Sequence, residues 1–124
     1  MKVSHTCLWV SDLDSTKSFY IDALGLHHTW DFVGGDGVTN YYISGDGGVE
    51  IQFKYQEGTK KDTPCGIDHI AIEIENVDAT LKNMVDKTNC KVVLPTFQND
   101  SIKVRVAFIE DPDGYVVELL QHLD

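Results

Sequence analysis

The feature that most constrains the fold is a pattern of secondary-structure signals that occurs twice along the chain. In the first half, a strand pattern over residues 2–10 is followed by SDLDSTKSFYIDALG. That segment has capping residues at its start, apolar residues at helical spacing and a glycine at its end. Three short β-rich stretches follow, HHTWDFVG, TNYYISG and GVEIQFKY, separated by GDG and GDGG turns. The first half is therefore predicted to be a βαβββ module.

The second half repeats this order of elements. GIDHIAIEI predicts a strand and NVDATLKNMVDKT a helix, and three more strands are predicted at KVVLPTFQ, KVRVAFIE and YVVELLQH. A repeated unit usually cannot bury its apolar face without its twin. We therefore predict one α+β domain over residues 1–124, made of modules 1–55 and 66–124 with a surface linker at 56–65. The two sheets are expected to form a cleft, with the helices outside.

Composition limits the kinds of partner. The 124 residues are 42% hydrophobic, which suits one compact domain, and the formal net charge of -10 opposes binding to nucleic acid. No apolar stretch approaches the roughly 18 residues of a membrane span, and the first ten residues lack a signal-peptide pattern. We expect a soluble, cytoplasmic protein. Cys7, Cys65 and Cys90 are odd in number and lack CxxC spacing, so they are predicted to be reduced and structural.

Aligning the two halves places two pairs of polar residues in register. His5 lies over His69 in the first strands, and Glu50 lies over Glu118 in the last strands. Imidazole and carboxylate together suit a borderline divalent ion such as nickel, cobalt, zinc or iron(II). Taken singly, Glu50 and the histidines fit ordinary strand positions. Glu118 in GYVVELLQ does not, because an unpaired ionised carboxylate in an apolar strand normally neutralises, pairs with a cation or binds a metal.

The chain resembles the vicinal oxygen chelate superfamily, and more narrowly the bacterial glyoxalase I (lactoylglutathione lyase) family. The resemblance is carried by HTCLWVSDLDSTKSFYIDALGL, GGVEIQF, GIDHIAIEI and AFIEDPDGYVVEL, which span nearly the whole chain. Related families similar to extradiol dioxygenases use two His and one Glu, and methylmalonyl-CoA epimerases carry Gln at the position of Glu50. The set His5, Glu50, His69 and Glu118 is the one found in glyoxalases.

The resemblance implies a reaction and its requirements. Glyoxalase I isomerises the hemithioacetal of methylglyoxal and glutathione, or another thiol, to an S-D-lactoyl thioester through an enediolate. One divalent ion per site is implied, with nickel or cobalt favoured and zinc compatible with the ligands. Glu118 is assigned as the base because its surroundings are the more apolar, with Glu50 as ligand and the alternative acid or base. A homodimer is expected, with His5 and Glu50 of one chain facing His69 and Glu118 of the other.

Three positions bear on the substrate. Glutathione-dependent relatives usually have Arg four residues after the first His and Asn four after the first Glu, where this chain has Trp9 and Lys54. The strand period keeps both on the faces of His5 and Glu50, so they are predicted to edge the pocket. Arg105 stands where many relatives have an arginine that meets anionic substrates, and a solvated strand position is the alternative.

Two other functions stay open. One is another isomerase or epimerase of the superfamily, which acts on a different thioester or α-hydroxycarbonyl. The other is a non-catalytic protein that binds a drug-like small molecule, with Trp9 and Trp30 lining its cleft. The sequence does not decide the thiol, the metal, or whether a site forms within or between chains.

Overall fold

A computed structural model describes residues 4–58, 67 and 69–124 of the chain. The chain divides into two compact units, Met1–Asp62 and Thr63–Asp124. Among the residues described, each contains one four-stranded sheet and one helical segment in the order βαβββ, as the repeat predicts. Most of the predicted linker and Cys65 lie outside the described residues, and the cleft between the sheets stays a prediction.

The first unit, which we call unit 1, follows the predicted order closely. Its elements are β1 (His5–Trp9), α1 (Leu13–Lys17) with a π-helical continuation (Ser18–Ala23), β2 (His27–Val33), β3 (Thr39–Ser44) and β4 (Glu50–Tyr55). The strand order is β1-β4-β3-β2, with β1 parallel to β4 and the other pairs antiparallel. Asp12 caps the helix by accepting the backbone N–H of Ser15 at 3.0 Å. Gly25 follows the helical segment with φ +97°, a conformation that favours glycine.

The second unit, unit 2, has the same plan. Its elements are β5 (Ile70–Glu73), α2 (Val77–Thr88), β6 (Val92–Asn99), β7 (Val104–Glu110) and β8 (Val116–His122), and its strand order is β5-β8-β7-β6. Asn76 caps α2 by accepting the N–H of Ala79 at 3.0 Å, and Asn89 ends it in the left-handed conformation. Pro95 lies in the edge strand β6, where proline, which has no backbone N–H to donate, is tolerated in a sheet.

In each unit the helical segment covers one face of the sheet. In unit 1, buried residues of the helical segment and the sheet form the core, and the rings of Tyr20 and Phe53 lie 5.0 Å apart. In unit 2, the side chain of Gln121 on β8 accepts the backbone N–H of Val77 at the start of α2, at 2.9 Å. Strand residues point alternately to opposite faces. The opposite face of each sheet carries the histidine and the glutamate that the sequence predicts for that unit, and we call these the His5 face and the His69 face.

No helix in the part of the chain that the structure describes has the length and apolar character needed to span a membrane.

Candidate functional site

In unit 1, His5 and Glu50 are direct neighbours across a pair of parallel strands. The register of β1 and β4 places His5 opposite Glu50, and both side chains lie on the His5 face. The imidazole of His5 packs edge-on against the ring of Tyr42, with 5.7 Å between centroids and 81° between planes. Its Nδ1 lies 3.1 Å from the hydroxyl oxygen of Ser4. The Glu50 carboxylate accepts a hydrogen bond from the hydroxyl of Thr29 on β2.

In unit 2, His69 and Glu118 form the corresponding pair. Glu118 lies opposite Ala71 in the register of β5 and β8, two residues after His69. His69 Nε2 is 3.7 Å from Glu118 Oε1, with side-chain exposures of 35% and 17%. The imidazole again packs edge-on against an aromatic ring, that of Phe108, with 5.6 Å between centroids. The Glu118 carboxylate is thus half-buried, beside a histidine and close to an aromatic side chain.

The two pairs share their chemistry and differ in register. Each unit places one imidazole and one carboxylate on the sheet face opposite its helical segment, with an aromatic ring against the imidazole. Glu50 is directly opposite its histidine, whereas Glu118 is opposite the residue two positions after its histidine. The Glu50 carboxylate contacts Thr29 on β2, and the Glu118 carboxylate lies close to His69. Aligning the halves by sequence did not predict this difference.

The donor set fits a divalent metal ion. Two imidazole nitrogens and two carboxylates match the ligands of nickel, cobalt, zinc or iron(II), and the 3.7 Å approach of His69 to Glu118 suits two ligands of one ion. Within residues 4–58, 67 and 69–124, no group of three or more His, Cys, Asp or Glu side chains is placed to hold an ion. Each pair offers two candidate ligands, and we call such a pair a half-site.

Trp9 and Lys54 lie side by side on the His5 face. They are opposite each other in the register of β1 and β4, and Lys54 Nζ is 5.4 Å from the centroid of the Trp9 ring. This distance is typical of a cation–π contact, and the indole remains 44% exposed. Both lie four residues along their strands from the half-site, about 13 Å at the usual strand rise. Their contact with a substrate stays a prediction.

Arg105 lies on the other face of its sheet. On β7 its side chain points to the same face as those of Ala107 and Ile109. Phe108, which is opposite Glu118, points to the His69 face. Its Nε and Nη2 donate to the two carboxylate oxygens of Asp78 in the first turn of α2, at 2.9 and 3.1 Å. These hydrogen bonds hold the pKa of Asp78 below its ordinary value and raise that of Arg105. The position supports a structural role, and the predicted contact with an anionic substrate is untested.

Three neighbours of the unit 1 pair, Tyr42, Phe32 and Thr29, were not identified from the sequence, whereas Trp30 was named there as a possible cleft residue. Tyr42, Trp30 and Phe32 form a stack on the His5 face, with 4.2 Å between the rings of Tyr42 and Trp30 and 5.3 Å between those of Trp30 and Phe32. Burial raises the pKa of the Tyr42 hydroxyl, and nearby Cys7 and Glu50 add to the rise. The alternation in TWDF could have suggested that Trp30 and Phe32 share a face. Thr29 carried no signal, because its contact depends on an irregularity in strand pairing.

The sequence of the chain is similar to those of a known family. The family model of the Glyoxalase/Bleomycin resistance protein/Dioxygenase superfamily matches residues 2–119. A probable lactoylglutathione lyase of Synechocystis is 33% identical, with 98% of this chain and 95% of that one aligned. A lactoylglutathione lyase of Haemophilus influenzae is 30% identical, with 98% and 93% aligned.

Solved structures agree with this assignment. Glyoxalase I from Zea mays superposes with a TM-score of 0.87 at 26% identity, over 99% of this chain and 45% of that one. The trypanothione-dependent glyoxalase I of Leishmania major gives a TM-score of 0.80 at 26% identity, over 98% and 86%. The family model covers both half-sites, and the similarity in fold covers nearly all of the chain. The chain therefore belongs to the glyoxalase/bleomycin resistance protein/dioxygenase superfamily, which is the vicinal oxygen chelate superfamily.

Proposed function

We propose that this protein is a glyoxalase-I-type lyase that converts the hemithioacetal of methylglyoxal and a thiol to an S-D-lactoyl thioester. The observation that carries the proposal is the imidazole–carboxylate pair that each unit presents on the sheet face opposite its helical segment. Relatives aligned over nearly their whole length are named lactoylglutathione lyases, which supports the same reaction. A protein that only binds a small molecule has no need of both pairs.

We further propose that His5, Glu50, His69 and Glu118 together hold one divalent ion per site. Nickel or cobalt is favoured, and zinc is compatible with the same ligands. When bound, such an ion supplies Lewis-acid stabilisation of the negative charge that develops on the two neighbouring substrate oxygens. Because each pair supplies two of these four ligands, the proposal includes a homodimer in which the unit 1 pair of one chain is completed by the unit 2 pair of the other.

Glu118 is proposed as the residue that moves the proton. The reaction removes a proton from the carbon that bears sulfur and returns it to the adjacent carbonyl carbon, while the hydroxyl proton passes to the other oxygen. No atom is gained or lost, so one carboxylate can serve as base and then as acid. Glu118 suits this role because its side chain is only 17% exposed and lies in an apolar strand. Glu50 is held by Thr29 and is better placed to act as a ligand.

Trp9 and Lys54 are proposed to receive the thiol part of the substrate. Lys54 can pair with a carboxylate of the thiol, and the exposed indole of Trp9 offers a flat apolar surface beside it. Glutathione satisfies the first requirement, and so does any other thiol that carries a carboxylate. The replacement of the usual Arg and Asn also favours a second candidate, a related isomerase that acts on another thioester or α-hydroxycarbonyl.

The test is metal analysis of the purified protein, followed by an ultraviolet assay of thioester formation. The substrate is methylglyoxal mixed with glutathione or another thiol, and the metal-depleted protein is reloaded with nickel, cobalt or zinc. Thioester formation that depends on the added ion is the expected result. Bound metal without turnover on any thiol would favour the second candidate. Failure to bind any of the three ions would contradict the proposed function.

A further inference from the structure

The hydrogen bond from Thr29 to Glu50 arises at a bulge in β2. In the pairing of β2 with β3, His28 is opposite Ile43 and Trp30 is opposite Tyr42, so that Thr29 is an extra residue between them. A bulge of this kind changes the face to which a side chain points. The register places Trp30 on the His5 face, and the bulge directs the Thr29 hydroxyl to the same face, where it reaches Glu50.

The hydrogen bond passes over an intervening strand. In the sheet order β1-β4-β3-β2, Thr29 on β2 and Glu50 on β4 are separated by β3. The β3 residue opposite Glu50 is Ser44, whose small side chain leaves room for the contact. The hydroxyl of Ser44 donates to the backbone carbonyl oxygens of Val49, at 2.9 Å, and Gly45, at 3.1 Å. Ser44 therefore supplies space, and Thr29 supplies the hydrogen bond.

Unit 2 is built differently at the matching place. The β7 residue opposite Glu118 is Phe108, where unit 1 has Ser44 opposite Glu50. The ring of Phe108 packs against the imidazole of His69, and a phenylalanine at this position leaves less room than a serine for a residue of β6 to reach Glu118. The Glu118 carboxylate lies instead 3.7 Å from His69. The two carboxylates are thus held by different neighbours, although the sequence repeat makes them equivalent.

We propose that Thr29 is a positioning residue for Glu50. Its hydroxyl engages Oε2 of the carboxylate and restricts the rotamers of a side chain that otherwise has three rotatable bonds. A carboxylate with one oxygen fixed in this way presents its other oxygen in a defined direction, which is how hydrogen-bonding neighbours orient metal ligands. The consequence for metal binding rests on the proposed function, whereas the positioning itself does not.

The first experiment measures metal binding. Nickel titration by calorimetry compares the wild type with Thr29→Val, which keeps the shape of the side chain and removes the hydroxyl, and with Thr29→Ser, which retains the hydroxyl. Thr39→Val is the matched control, because it makes the same change on β3. The Thr39 side chain points to the same face as that of Ile43, which is the opposite face from Glu50. We expect about tenfold weaker binding in Thr29→Val and less than about threefold change in the other two. Equal losses in Thr29→Val and Thr29→Ser, or no loss in Thr29→Val, would overturn the role.

The second experiment needs no metal and separates this inference from the proposed function. Urea unfolding midpoints are measured on the metal-free wild type, Thr29→Val, Glu50→Ala and the double variant. If the hydroxyl positions Glu50, Thr29→Val lowers the midpoint in the wild type and has little effect once Glu50 is Ala. Additive shifts would show that the two side chains do not interact and would overturn the inference. If the wild type binds none of nickel, cobalt and zinc, the proposed function fails, and this cycle still decides whether Thr29 positions Glu50.

Discussion

At the scale of single residues, the two carboxylates of the half-sites have different surroundings. Glu50 accepts a hydrogen bond from Thr29, whereas Glu118 lies in an apolar strand beside His69 and Phe108. A general base has to change its protonation state during turnover, and a ligand has to stay ionised. The fixed carboxylate of Glu50 suits the second requirement, and the less hydrogen-bonded surroundings of Glu118 suit the first.

Glu118→Gln is accordingly expected to lower kcat by at least about a hundredfold, because proton transfer by a positioned side chain typically contributes that much. The fold and part of the metal content should remain. Glu50→Gln should instead weaken nickel binding and leave more turnover when nickel is in excess. Steady-state kinetics and metal analysis of both variants provide the measurement. If Glu50→Gln has no measurable turnover and Glu118→Gln keeps a kcat near that of the wild type, the roles of the two glutamates are reversed.

At the scale of elements, the ion pair of Asp78 and Arg105 ties the first turn of α2 to the sheet. Arg105 donates to both carboxylate oxygens, and an acidic residue is also favoured near a helix N-terminus. The hydrogen bonds from Arg105 place the pKa of Asp78 in the folded protein below its ordinary value of 3.8. The ionised carboxylate therefore stabilises the fold above that value, and the contribution is lost as the pH falls through the lower, folded-state pKa.

Asp78→Asn should reduce the free energy of unfolding near neutral pH and have a smaller effect at a pH well below 3.8, where the stabilising contribution of the ionised carboxylate is being lost. Urea unfolding at the two pH values measures the difference. Asp86→Asn is the control, because Asp86 pairs with Lys82 at 2.7 Å within the helix and does not reach the sheet. Its effect should be smaller at both pH values, since exposed pairs of this spacing contribute little. An equal effect of Asp78→Asn at both pH values would contradict the assigned role of the ion pair.

The sequence predicted the elements better than it predicted the details within them. Periodicity and turn residues identified the order βαβββ in both halves, because each element is marked by local signals. The bulge at Thr29 was not predictable, since it depends on the pairing of two strands. The face of Arg105 was ambiguous for another reason. Val104, Val106, Ala107 and Ile109 make both faces of β7 apolar, so alternation alone could not show which face carries the arginine.

At the scale of the whole molecule, the repeat gives each chain two imidazole–carboxylate pairs, and under the proposed function one pair alone does not complete a metal site. Each unit supplies an imidazole and a carboxylate, and no group of three such ligands occurs in the residues that the structure describes. A symmetric dimer would join the half-sites in two equivalent places, because a two-fold axis repeats every contact. Such a dimer has two sites, each with one half-site from either chain.

This arrangement predicts complementation between two inactive variants. His5→Ala disables both sites through unit 1, and His69→Ala disables both through unit 2. In a mixed dimer, one site combines the two damaged half-sites and the other combines the two intact ones. Random exchange of equal amounts gives half mixed dimers, each with one working site, so about a quarter of the wild-type activity should return. The two variants are mixed, exchange is verified by native mass spectrometry, and turnover is assayed with nickel. Mixed dimers without activity would show that the half-sites of one chain do not join those of the other.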